Sequence, residues 1–432
     1  MRGMSGTQSL WPTRVRRPRR GPRLSVLEGR GILLAETPRT APSPNAWDLP
    51  LADSAGPAGS CLLSNGACSR PRVVIVSGSV GAGHDGAAFE LARRLEQAGV
   101  AAAVVDYLTF LPRWVARLLD EGYTASVQRV PALFGWIFRH LEARGLTFAV
   151  ASGVCRLSER RLLTAVRNAD VVVSTYPLAS RSLGELKRRE LIDIPCVSFL
   201  TDPAPHRMWV HPSLDQHLTV TAQTSAEGQA RYQVPMTTAG PLVPLRFSLP
   251  HPHESRAALR RSLGVEPQEI AVLISAGSLG LGQVQATAAA VRHAGGVPIV
   301  LCGRNTVLLQ RLTQAGHRGL SWREDIAELM AAADVLVHNA GGLSLTEALV
   351  AGLPAITFAP IPGHGRANAE LLDRTGLVPW ATSTAQLRSL LLQSHARPRS
   401  PLAFAGPDAS DCVLAWLTVK RLPDAASTAR AS

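Results

Sequence analysis

No apolar run in the 432 residues reaches the ~18 that a membrane-spanning helix needs. The six cysteines (Cys61, Cys68, Cys155, Cys196, Cys302 and Cys412) are scattered and form no C-x-x-C pair. A structural zinc site is therefore not expected, and reduced thiols in a cytoplasmic compartment are the simplest reading. Aromatic residues are scarce at 5%, so any local concentration of them is informative. What remains is 46% hydrophobic and 18% charged, a globular composition on a chain long enough for two cores.

The net charge of +13 suggests nucleic acid until its location is considered. Residues 1–30 hold eight arginines against one glutamate, more than half of the excess. That segment, with "RVRRPRRGPR" at its heart, has no amphipathic period and no continuous apolar region of a secretory signal. Residues 1–70 are expected to be a disordered Arg/Pro-rich tail. Attraction to an anionic surface and an over-extended start site are both compatible with it. No specific nucleic-acid partner is expected.

From Arg72 onward short apolar runs ending in small or polar residues alternate with helix-like segments. "VVIVSGS", "AAAVVDYL", "DVVVSTYP", "PCVSFLTD" and "QHLTVTA" form a first set. After the Pro-rich stretch 239–254, "AVLISAGSLG", "VPIVLCGRN", "ADVLVHNAGG" and "LPAITFAP" form a second. Continuous β-branched runs between amphipathic helices predict parallel sheets covered on both faces. The expected fold is α/β, with two Rossmann-like doubly wound domains facing each other across a cleft, at 71–243 and 244–400. A helix and tail would follow at 401–432. Ligands in such sheets bind beyond the carboxyl ends of the strands.

Gly81, Gly83 and Gly86 spell G-x-G-x-x-G after the first strand, and Asp106 follows twenty residues later. This matches a dinucleotide fingerprint. Two features argue against a dehydrogenase. A histidine, His84, sits inside the turn, and the second half carries glycine turns of its own at 275–282 and 338–349. In the latter, Gly341 and Gly342 open a helix whose first turn carries Ser344 and Thr346, a place for an anion such as a diphosphate. Glu347, further along that helix, is placed to accept hydrogen bonds from a sugar diol. The plain alternative is a helix that needs a glycine entrance and a solvated glutamate.

The block "WREDIAELMAAADVLVHNAGGLSLTEALVAGLPAITFAPIPGHGRANAELLDRTG" resembles the donor-binding half of family 28 glycosyltransferases, which have the GT-B fold. "VLCGRN" and "TDPAPHRMWVHPSLD" are similar to the branch of monogalactosyldiacylglycerol synthase and the processive diacylglycerol glucosyltransferases. The resemblance covers roughly residues 72 to 390. It implies an inverting transfer of a hexose from a UDP-sugar to an alcohol, with no cofactor beyond the donor. His84 then matches the base of an acceptor-side G-x-G-H loop that includes Gly81 and Gly83, with Asp106 or Asp202 orienting it or sharing the role. The chain has no D-x-D, so helix-terminus N–H groups at Gly341 and Gly342 would hold the diphosphate without a metal.

By the same resemblance Gly277 and Ser278 add phosphate contacts, the backbone at Arg323 meets the uracil, and Glu347 meets the ribose. His364 and Asn368 lie in the sugar-facing loop. There the chain departs from its relatives, with His364 and Gly365 where P-G-Q-E-x-x-N has Gln and Glu. Galactose, glucose and N-acetylglucosamine therefore all stay open as the donated sugar.

His206, His211 and His217 share no ligand spacing, and metal binding there is not expected. His206 is placed instead on an acceptor-side loop with Asp202. Residues 107–146 gather Trp114, Phe134, Trp136 and Phe138 among five arginines, the pattern of a peripheral protein on an anionic bilayer. Core helices with arginines facing water are the other reading. The expected partners are a UDP-sugar, a lipid alcohol and the inner face of the cell membrane. A soluble acceptor and a non-catalytic GT-B binding protein are the alternatives; a UDP-sugar epimerase would share the architecture, but the "PGHGRAN" block argues against it.

Overall fold

The computed structural model describes residues 70–143 and 145–419. The expected tail at 1–70, save Arg70, and the end at 420–432 lie outside the described residues.

The N-terminal half runs β1 (Arg72–Ser77), α1 (Ala82–Gln97), β2 (Ala101–Asp106), α2 (Arg113–Arg129), α3 (Pro131–Glu142) and α4 (Leu146–Val166). It continues with β3 (Val171–Ser174), α5 (Pro177–Arg188), β4 (Cys196–Leu200), β5 (Gln216–Thr219), α6 (Ala222–Tyr232) and β6 (Thr237–Thr238). The C-terminal half runs α7 (His253–Ser262), β7 (Ile270–Ser275), α8 (Val284–His293), β8 (Gly296–Leu301), α9 (Thr306–Gln314), β9 (Arg318–Leu320) and α10 (Ile326–Ala332). Then come β10 (Val335–His338), α11 (Leu343–Val350), β11 (Ala355–Phe358), α12 (His364–Arg374), β12 (Trp380–Ala381), α13 (Thr384–Ala396) and α14 (Ala409–Val419).

Each half is one parallel six-stranded sheet, in the orders β2-β1-β3-β4-β5-β6 and β12-β11-β10-β7-β8-β9. Central strands such as "VVVS" and "IAVLIS" are buried at every position, which is why they read as unbroken apolar runs. Apolar clusters form on both faces of each sheet. Burying each such Val, Leu or Ile contributes about 1.5–3 kcal/mol. Together these layers confirm the doubly wound reading.

The order of the strands decides where chemistry can occur. In the first sheet the chain reverses direction between β1 and β3, and in the second between β7 and β10. At such a switch point the following loops diverge and leave a crevice. The loop after β1 leads into the first turn of α1, which carries His84; the loop after β7 carries Ser278, and the loop after β10 carries Gly341.

The C-terminal helix returns to the first half. Ala409, Cys412, Val413 and Leu417 of α14 join the apolar cluster formed by α1 and the β1 face of the first sheet. Arg94 pairs with Asp408 at 2.6 Å, and Trp416 Nε1 donates to Gln216 Oε1 at 2.9 Å. Helix α14 thus straps the second half to the first.

Candidate active site

Helix α1 begins at a glycine that has no capping side chain, Gly81. Its first amide is satisfied from the other half: Ala82 N–H donates to Ser278 Oγ at 3.1 Å. Gly86 explains itself by close approach, since a Cβ there would lie 2.4 Å from Leu343 Cδ2, and Gly83 faces the same leucine. Gly83 and Gly86 therefore seat the start of α1 on the start of α11. Two glycine turns, one from each half, meet there.

His84 occupies the first turn of α1. Its Nδ1 lies 3.0 Å from Thr201 Oγ1, and its backbone carbonyl accepts the Thr175 hydroxyl at 3.2 Å. Tyr176 and Trp209 pack against the ring at 5.3 and 5.8 Å. Burial lowers its pKa below the ordinary histidine value, while Asp202, the strongest opposing charge, pulls it back up. Asp202 is held by Trp209 Nε1 at 3.1 Å and Asn368 Nδ2 at 3.3 Å. Asp106 does other work. It accepts the Ser79 and Leu108 N–H groups at 3.2 and 3.0 Å, fixing the turn after β1 to the end of β2.

On the donor half, Gly341 and Gly342 have φ of 82° and 72°, backbone that a Cβ would strain, and so admit a turn open only to glycine. His338 at the end of β10 accepts the Gly341 N–H on Nδ1 at 3.1 Å and bonds Thr357 Oγ1 through Nε2 at 3.0 Å. Burial pushes this histidine down to about 4, so the imidazole that braces the turn is neutral. Ser344 is half-buried in the first turn of α11. The Glu347 carboxyl is pushed up to about 8 by burial, against a smaller opposing effect of Arg246.

A cavity of about 1480 Å³ lies beside His84. His84, Gly81, Asp202 and His206 line it from the first half, and His364 and Asn368 from the second. Its broadest wall is apolar, drawn from α2, α3 and α4, among them Leu118, Phe134, Leu146 and Val150. His206 stacks on Phe138 at 4.2 Å and lies 3.3 Å from Glu142. Gly277, Ser278, Arg323, Gly341, Gly342, Ser344 and Glu347 do not line this cavity. They belong to the adjoining donor-half turns. Among the described residues no group of three or more His, Cys, Asp or Glu side chains is arranged to hold a metal ion.

A family profile described as monogalactosyldiacylglycerol (MGDG) synthase matches residues 84–233. A processive diacylglycerol beta-glucosyltransferase of Bacillus cereus (strain B4264) is 25% identical over 324 residues, covering 71% of this chain and 81% of the relative. One of Bacillus pumilus is 27% identical over 233 residues, covering 51% and 60%. The solved glycosyltransferase of kitacinnamycin shares the fold, with a TM-score of 0.50 at 16% identity, covering 76% of this chain and 92% of that one. The chain is similar to family 28 glycosyltransferases and has the GT-B fold.

Within this glycosyltransferase the departure at "PGHGRAN" has a physical basis. A Cβ at Gly365 would lie 2.7 Å from the Asn339 carbonyl oxygen and 2.6 Å from Ile361, so no acidic side chain fits there. His364 is turned into the first half, with the rings of Tyr123, Phe134 and Phe138 at 6.2, 6.0 and 6.2 Å. The Arg323 side chain is turned to its own neighbour, with Nε 2.7 Å from Asp325 Oδ1. Trp114 and Trp136 are 69% and 43% exposed, outside the cavity on the outer face of the helices that wall it. Sequence reasoning missed Thr201, Thr175 and His338. Only His338 left a signal, a histidine ending an apolar strand just before two glycines.

Proposed function

We propose that this protein is a glycolipid-forming enzyme that moves a hexose from a UDP-sugar to a lipid alcohol such as diacylglycerol, at the cytoplasmic face of the cell membrane. The carrying observation is the position of the His84 turn. It lines an apolar cavity on one side and touches the donor-half turns, through Ser278 and Leu343, on the other. With Nδ1–H donating to Thr201, Nε2 offers a lone pair to an acceptor hydroxyl. The acceptor oxygen forms a bond to the anomeric carbon as its proton passes to Nε2. The bond from that carbon to the diphosphate oxygen breaks on the opposite face, and UDP leaves with the electron pair. Inversion follows from that geometry of attack. The names of the relatives, diacylglycerol glucosyltransferases, support the acceptor class. The test is incubation with UDP-glucose, UDP-galactose or UDP-N-acetylglucosamine and diacylglycerol-containing vesicles; absence of any glycolipid product would overturn the reading.

The donor assignment has its own expected result. If Glu347 accepts the ribose hydroxyls as a carboxylate, binding UDP must ionise a group whose pKa in the free protein is about 8. UDP affinity should then rise with pH up to about 8, by at most about tenfold per unit, and level off above it. Calorimetry at pH 7, 8 and 9 reads this. Glu347→Gln should flatten the profile, and Glu347→Ala should weaken UDP about ten- to a hundred-fold. An alanine variant with native affinity removes Glu347 from the donor site.

The membrane assignment rests on the outer face of α2–α4. Trp114, Leu133 and Trp136 are exposed there, outside the cavity, and Leu118, Leu146 and Val150 are exposed at the cavity's own apolar wall, with Arg113, Arg117, Arg129 and Arg139 exposed among them. Apolar groups entering the interface while arginines meet anionic headgroups would hold the cavity's apolar wall against the bilayer. Vesicles containing anionic lipid should co-sediment the protein, less so as salt rises. Replacing Trp114, Leu118 and Trp136 by polar residues should abolish this without unfolding the chain. A protein that ignores such vesicles at low salt favours a soluble acceptor instead.

A further inference from the structure

Asn368, the fifth residue of α12, is 1% exposed, and its amide is filled by protein groups. Oδ1 accepts the Ala204 N–H at 2.8 Å, from the loop after β4. Nδ2 donates to the Ala340 carbonyl at 2.7 Å, in the turn that opens α11, and to Asp202 Oδ1 at 3.3 Å. A primary amide has two N–H donors, and both are used. The orientation is set by these neighbours, because only one places the oxygen against an N–H and the nitrogen against two oxygens. No donor is left for a sugar hydroxyl. The partners lie on opposite halves of the molecule, so one side chain joins the turn assigned to the diphosphate to the loop that carries Asp202.

We infer that Asn368 is a positioning residue, a clasp that holds the donor turn at 339–342 in register with the acceptor loop at 202–204, and not the sugar contact that its motif suggests. This rests on the donor and acceptor sides assigned above. Losing the clasp leaves the Ala340 carbonyl, the Ala204 N–H and Asp202 short of partners. The two sides then drift while each stays folded. The cost should fall on the step that needs both sides at once, because reacting groups displaced by about 1 Å lose up to about a hundred-fold in rate.

The experiment compares the full-length protein with Asn368→Ala. In the variant the Ala204 amide should exchange with deuterium at least about tenfold faster, because its only protein acceptor is gone. With a UDP-hexose that the native protein uses, kcat should fall at least about tenfold while the donor KM changes less than about twofold. The tighter binding of that UDP-hexose relative to UDP should persist. A variant that loses this difference while Ala204 exchange stays native would make Asn368 a sugar contact and overturn the clasp. Unchanged exchange alone also overturns it. Should the alanine protein not fold, Asn368→Asp keeps the size and the acceptor for Ala204 but sets a carboxylate against Asp202 and the Ala340 carbonyl. It should speed exchange at residues 340–342 and lower kcat, and native behaviour in both overturns the inference. If the native protein uses no UDP-hexose, the proposed function fails while the exchange measurement still decides the clasp.

Discussion

Replacing His84 by alanine is expected to lower turnover by about a hundred-fold or more while UDP affinity stays within about twofold. The imidazole lines the cavity on the acceptor side, and its contacts run to Thr201, Thr175, Tyr176 and Trp209, all in the first half. Nothing in that set belongs to the turns assigned to UDP. The loss should therefore appear in kcat, with binding spared. The pH profile gives a second reading. Burial lowers the His84 pKa, so the neutral, proton-accepting form persists below the ordinary histidine range. The rate should hold through pH 6.5 and fall only at lower pH, as the base becomes protonated. Thr201→Val, which removes the bond to Nδ1 and keeps the shape, should reduce kcat in the same direction but by less. A His84→Ala protein with near-native turnover would transfer the role to Asp202, the carboxylate nearest in its electrostatic effect.

The same site shows which features are legible in a chain and which are not. Parallel strands buried on both faces are apolar over most of their length, so β1, β3, β7 and β10 stand out as runs. The glycines at 341 and 342 are visible because positive φ leaves few other residues. The two- and three-residue strands β6, β9 and β12 are too short to carry a pattern. The aromatic concentration at 107–146 marks a special region, but the sequence alone leaves open whether those rings are core or surface. The structure divides them: Phe134 and Phe138 face the cavity, Trp114 and Trp136 face outward. Asp106 sits at the distance expected of a dinucleotide fingerprint and serves instead as an acceptor for two backbone amides. Spacing cannot reveal that choice, because it depends on where the Ser79 turn folds back. The cross-half bonds of Ser278 and Asn368 span 196 and 164 residues. Only the completed fold brings those partners within reach.

The second large effect expected is a collapse of stability between pH 6.5 and 5. His211, His217 and His338 are each 2% exposed, and burial pushes each down to about 4. All three use a ring nitrogen as an acceptor for a backbone amide. His211 Nδ1 takes the Ser213 N–H, His217 Nε2 takes the His211 N–H, and His338 Nδ1 takes the Gly341 N–H. Protonation turns each acceptor into a donor and breaks the bond it serves. The sign follows from linkage. A histidine whose folded pKa is depressed contributes its full stability above the unfolded value of about 6.5 and loses it as pH falls toward the folded value. At pH 5 a histidine shifted this far loses about 2 kcal/mol, so three such rings weigh heavily against the roughly 5–15 kcal/mol that is typical of a domain. Thermal melts from pH 7.5 to 5 should show Tm falling steeply below 6.5. His217→Gln, whose side-chain oxygen can accept the same amide without titrating, should make the fall shallower. The loss at His338 has a functional consequence as well, because that ring braces the turn assigned to the diphosphate. UDP affinity should therefore weaken further below pH 6.5 as the turn loosens, and its protection of the fold should fade with it. A Tm that stays level from pH 7 to 5 would mean that these imidazoles are not held neutral by burial, and the account of the Gly341 turn would fall with them.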